Sequence, residues 1–174
     1  MIIRLKLFLA FAFLLTASFG FAQEGKTILE NLKANKEYSK FVKALEMTGL
    51  DKALEQDDQF TIFVPTNQAL KQDQKFVDVL LSGENIEMLT KFVGKHISKE
   101  SFAKEEMEKM RAETEGEDRQ LTIRPFIGNS FTIVPDQTVF KIMGSGMQEA
   151  YIVKSDLKST NGSIHTLSRS LLER

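Results

Sequence analysis

The segment over residues 60–65, Phe-Thr-Ile-Phe-Val-Pro, constrains the fold more than any other part of the sequence. Its β-branched and aromatic residues predict a strand whose alternating side chains are buried on both faces. Pro65 has no N–H to donate and disfavours helix at the preceding residue, so we expect the strand to end there. Thr66 or Asn67 then caps a helix that runs towards Leu70. The rest of the chain must therefore cover this strand from two sides.

Helical and strand patterns are separated along the chain. Apolar spacings of three and four residues predict helices over residues 28–32, 38–45, 76–81, 86–92 and 102–112. Short β-type runs, separated by turn residues, follow at 121–123, 131–134, 139–143, 151–153 and 164–167. Helices first and strands later indicate an α+β fold.

The first 22 residues have the pattern of a secretory signal peptide. Arg4 and Lys6 precede an apolar run over residues 7–15, and small residues flank Phe21 at positions 20 and 22. The alternative is a membrane anchor, but a spanning helix needs about 20 apolar residues. We predict cleavage after residue 22, which leaves one exported domain over residues 23–174 with its core at about 27–173. The sequence has no Cys that could carry a lipid anchor.

Charge excludes one class of partner. Without Arg4 and Lys6 the chain has 21 basic and 24 acidic residues, a net charge of about −3. Nucleic-acid binding needs a clustered positive surface, so we predict no nucleic-acid partner. No second apolar run reaches membrane length, so we also predict no membrane span after signal cleavage. A domain of about 150 residues can bury enough surface to fold without disulfides.

Three blocks of the sequence resemble those of the fasciclin domain family. The first is FTIFVPTNQAL at residues 60–70, and the last is NGSIHTL at residues 161–167. Between them, residues 89–97 are similar to the family's Tyr-His region: His96 is in the His position, but Lys95 replaces the Tyr. The order and distances of the blocks suit one fasciclin domain.

The resemblance implies a fasciclin-like β-wedge, in which two short sheets are wrapped by helices. It also implies adhesion and matrix contacts outside the cell, in an extracellular or periplasmic location. The signature positions of the blocks are interpreted as structural, and they are Pro65, Thr66, Asn67, His96, Asn161, Gly162 and His165.

The sequence has no pattern typical of an active site. His96 and His165 are the two histidines, and neither belongs to a zinc-binding motif. A nucleophile elbow and a phosphate loop are missing too. We therefore predict no catalytic residue, no metal and no cofactor. Asn161 also begins a glycosylation pattern, Asn-Gly-Ser, for which a structural turn is the preferred interpretation.

Asp156 and Leu157 are the candidate binding residues. Family members that bind integrin have an Asp followed by an aliphatic residue ahead of the closing Asn-Gly, and this pair matches that pattern. The alternative interpretation, which we favour at this point, is that Leu157 fills the core and Asp156 caps a turn.

The sequence thus predicts a secreted, non-enzymatic protein that contacts an extracellular protein or polysaccharide. A carrier of a small lipophilic ligand is the alternative, and a hydrolase with dispersed carboxylates is a third hypothesis. A hollow lined by Phe and Met would favour the carrier, whereas two close carboxylates in a cleft would favour the enzyme.

Overall fold

The fold was obtained as a computed structural model that describes residues 25–55, 58–112 and 120–172. The predicted signal peptide over residues 1–22 lies outside these ranges. Among the described residues the helices are α1 (Ile28–Ala34), α2 (Ser39–Thr48), α3 (Asn67–Leu70), α4 (Gln74–Ser82), α5 (Ile86–Lys95) and α6 (Lys104–Ala112). Short 3-10 turns lie at Lys36–Tyr38, Lys52–Glu55 and Lys71–Asp73.

Local chemistry sets the helix ends. Thr27 and Glu30 form a capping box at the start of α1, each side chain accepting a hydrogen bond from the other residue's backbone N–H. Helix α2 ends at Gly49, whose φ of 70° is in the left-handed region that glycine adopts without strain.

The strands of the described ranges form one seven-stranded sheet in the order β2-β1-β7-β6-β5-β4-β3. Their bounds are β1 (Phe60–Pro65), β2 (Ile97–Ser98), β3 (Leu121–Ile123), β4 (Phe131–Asp136), β5 (Val139–Met143), β6 (Ala150–Ser159) and β7 (Gly162–Leu167). Strands β1 and β7 are parallel, and the other neighbours are antiparallel. The first and last blocks of the sequence are therefore paired at the centre of the protein.

Strand β1 separates two hydrophobic clusters, as its sequence predicted. All six of its residues are buried. Phe60, Ile62 and Val64 pack with the helices α1, α2, α4 and α5, whereas Phe63 packs with the side chains of β3 to β6. The structure thus covers β1 from both sides.

The predicted α+β fold is confirmed, with differences in detail. The two short sheets are continuous, because the long strand β6 pairs with β5 near its start and with β7 along its length. Strand β2 was not predicted. Strand β1 ends at Pro65, as the sequence predicted, and Pro65 is paired opposite Leu167.

Candidate functional site

The closing turn connects three elements through one residue, Asn161. The Asn161 Oδ1 accepts a hydrogen bond from the Ile28 N–H at 2.8 Å, and its Nδ2 donates to the Leu54 carbonyl at 2.6 Å. Its backbone carbonyl accepts from the Phe60 N–H at 3.0 Å. Asn161 is 8% exposed and both ends of its amide are engaged, which fits a structural turn and not a glycosylated side chain.

Gly162 is the residue of this turn with a positive φ, at 138°. An Asn-Gly pair is typical of tight turns with a positive φ at both residues, but Asn161 does not adopt one: among the described non-glycine residues, Gln137 has a positive φ. A Cβ on Gly162 would stand 1.8 Å from the Phe60 carbonyl oxygen. The close approach of β1 and β7 therefore requires a glycine here.

The corner after β1 is held by two polar side chains. The Thr66 Oγ1 accepts from the Ala69 N–H at 3.0 Å and caps α3. The Asn67 Oδ1 accepts from the Lys40 N–H at 3.0 Å, and its Nδ2 donates to the Lys36 carbonyl at 2.9 Å. Thr66 is thus the cap, and Asn67 attaches α3 to the start of α2.

His96 is buried between α5 and the C-terminal segment. Its Nδ1 lies 2.7 Å from the Phe92 carbonyl, and its Nε2 accepts from the Leu171 N–H at 3.0 Å. The carbonyl needs a donor and the N–H needs an acceptor, so the ring is neutral with its proton on Nδ1. Burial lowers the pKa of His96 to about 4, and the nearby Lys95 charge acts in the same direction against the Phe92 hydrogen bond.

His165 is fully buried in the other hydrophobic cluster. Its ring stacks on Phe63 at 5.5 Å, and its Nε2 lies 2.6 Å from the Phe102 carbonyl. The Phe102 N–H in turn donates to the Thr61 Oγ1 at 2.9 Å. The side chains of Thr66, Asn67, His96, Asn161 and His165 thus all hydrogen-bond to main-chain groups. Such contacts hold secondary-structure elements together.

The candidate binding pair lies on β6. Leu157 pairs with Ile164 of β7 and is 40% exposed, so the expectation that it fills the core is wrong. Asp156 is inside the strand, not at a turn. The ladder shifts register between Ile152 and Lys154 and again before Leu157, which is typical of β-bulges. The Leu157 side chain is partly exposed although its partner in the ladder, Ile164, is buried.

A groove lies between α4, α5 and the C-terminal segment, and the sequence did not predict its position. Its volume is about 370 Å³, and it is lined by Phe76, Met88, Lys91, Phe92, Lys95, Ile127, Gly128, Leu171 and Leu172. The lining comes from four separate stretches of the chain, so no local motif marks it. Phe and Met on the wall are the features that we expected of a carrier.

Within the described part of the chain, no cluster of three His, Asp or Glu side chains could hold a metal ion. The described helices include none that is long and apolar enough to cross a membrane.

The structure is an α+β domain in which the strands of the first and last sequence blocks, β1 and β7, pair in parallel. The sequence model of the fasciclin domain matches residues 36–173. The chain belongs to the fasciclin domain family.

A solved structure of a FAS1 domain pair from the insect cell adhesion molecule fasciclin I has the same fold. The match has a TM-score of 0.66 and 18% sequence identity, and it covers 86% of this chain. The chain spans about half of that structure, 52%. No curated protein matches the sequence.

Proposed function

We propose that the chain is a secreted, non-enzymatic fasciclin protein that mediates adhesion by binding an extracellular protein or polysaccharide through strand β6. The observation that carries the site is the exposed Leu157 beside Asp156 on a paired strand. Removing an exposed apolar side chain from water on contact with a partner is favourable. The adhesive role of the insect relative supports the same function by analogy of fold.

Leu157→Asp is expected to weaken partner binding about tenfold or more, because a desolvated apolar contact is replaced by a charge. Its melting temperature should stay close to that of the wild type, because exposed positions contribute little to stability. Immobilised native matrix and cell-surface material, titrated with the purified domain, measures the affinity.

Val153→Asp is the matched control for this change. Val153 is on the same strand and is 57% exposed, but it lies outside the Asp-Leu pair. It should bind like the wild type. Wild-type affinity in Leu157→Asp, or an equal loss in Val153→Asp, would contradict the proposed site.

Export is tested at the N-terminus. Expression of the full sequence should release a protein that begins Gln-Glu-Gly-Lys, or its pyroglutamate form, because the peptidase cuts after the small residue at position 22. N-terminal sequencing or intact mass measures this. Ala22→Arg should block cleavage and retain the precursor. Full-length wild-type protein in the membrane fraction would contradict a cleaved signal peptide.

A carrier of a small lipophilic ligand is the second candidate function, and the groove is the observation that favours it. Its volume of about 370 Å³ falls in the range of small-molecule sites, which are mostly apolar with a few polar groups. A fluorescent long-chain alcohol or fatty acid that gains fluorescence with the protein would support this candidate, and no gain with either probe would contradict it.

A further inference from the structure

The groove has an ordered pattern of charge on its α5 wall. Met88, Lys91, Phe92 and Lys95 all line it, and their spacing of three, four and seven residues places them on one face of the helix. Met88 and Phe92 form an apolar row. Lys91 and Lys95 form a parallel cationic row, one turn or about 6 Å long. Both ionisable residues among the described lining are lysines.

The two lysines differ in their surroundings. Lys95 is 4% exposed, and its Nζ donates to the Asn129 carbonyl at 2.9 Å. Gly128 lies against its stem, where a Cβ would be 3.1 Å from the Lys95 Cδ. A charge in such a poorly hydrated wall acts more strongly on its neighbours than one in water. Lys91 is mostly exposed and pairs with Glu87 at 2.7 Å, an exposed pair of the kind that contributes little to stability.

We propose that this groove binds a single-chain amphiphile with a carboxylate head group, a long-chain fatty acid. The hydrocarbon chain lies along Met88 and Phe92, and the head group faces Lys91 and Lys95. This assignment rests on the carrier function proposed above and names the class of its ligand. The complementary positive charge distinguishes an acid from a neutral lipid, and the volume suits one chain and not a protein partner, whose interface covers a much larger surface.

The test compares two probes that differ in the head group alone: a fluorescent polyunsaturated fatty acid and the alcohol of the same chain. Fluorescence titration at neutral pH should give an affinity about tenfold higher for the acid, since a hydrogen bond to a charged group is stronger than one to a neutral hydroxyl. Lys91→Gln should lower the affinity for the fatty acid about two- to fivefold and leave the affinity for the alcohol unchanged. Met88→Glu, a charge on the apolar row, should weaken both probes.

Glu87→Gln is the matched control, because Glu87 pairs with Lys91 but does not line the groove. It should keep or raise the affinity for the acid. Melting curves verify that each variant is folded. Equal wild-type affinity for acid and alcohol would overturn the fatty-acid assignment and leave the carrier function standing. Binding of neither probe would overturn both, and equal weakening of both probes by Lys91→Gln would show that its charge plays no part.

Discussion

Gly162→Ala is expected to lower the free energy of unfolding by roughly 3–5 kcal/mol, enough to unfold much of the protein. The added Cβ would meet the Phe60 carbonyl oxygen at 1.8 Å. Phe60 and Gly162 are paired at the start of the parallel β1–β7 ladder, so neither backbone can withdraw without breaking it. Chemical denaturation followed by circular dichroism measures the loss.

Gly49→Ala is the control that separates a clash from backbone strain. Gly49 also has a positive φ, at 70°, but nothing lies within 4 Å of a Cβ built there. Its substitution should therefore lower the free energy of unfolding by about 1–2 kcal/mol, which is the strain of a left-handed residue alone. If the two variants melt alike, the contact between β1 and β7 is not what requires glycine at position 162.

The same turn shows how far the sequence could predict the structure. The first block specified a two-sided buried strand and a capped helix, because alternation and capping are local. The partners of the Asn161 side chain, Ile28 and Leu54, lie more than 100 residues away in the chain, and no local pattern identifies them.

The candidate sites were harder to predict for a related reason. Leu157 was expected in the core, but it is 40% exposed although it pairs with the buried Ile164, because alternation along a strand does not show how far other elements cover each face of the sheet. The groove depends on α4, α5, residues 127–128 and the C-terminal segment meeting in space. Such a surface is a product of tertiary packing, so composition and periodicity carry no signal for it.

Acidification is expected to destabilise the protein through His96. In the unfolded chain a histidine has a pKa of about 6.5, whereas burial lowers the pKa of His96 in the folded protein to about 4. Between these two values the unfolded state binds a proton that the folded state does not, so stability rises with pH. The contribution is fully present above about pH 6.5 and is lost as the pH falls to about 4. Its size is about 3 kcal/mol.

The hydrogen bonds of His96 give this loss a structural meaning. Protonation would give the ring a second N–H, located at Nε2. This atom now accepts a hydrogen bond from the Leu171 N–H. Two donors would then face each other. The neighbouring Phe41 and Phe92 rings supply no acceptor that could take the place of Nε2. Leu171 also lines the groove, so we expect protonation of His96 at low pH to release one wall of the groove.

Urea denaturation of the wild type at several pH values between 7 and 4 measures the loss, and His96→Leu provides the reference. That variant should be less stable at neutral pH because the Leu171 N–H loses its acceptor. Its stability should nevertheless fall less steeply with acid, since the group responsible is gone and the carboxylates that titrate in this range are common to both proteins. Parallel curves for the two proteins, or a His96 ring that titrates near pH 6.5 by NMR in the folded state, would show that burial of this histidine is not coupled to protonation.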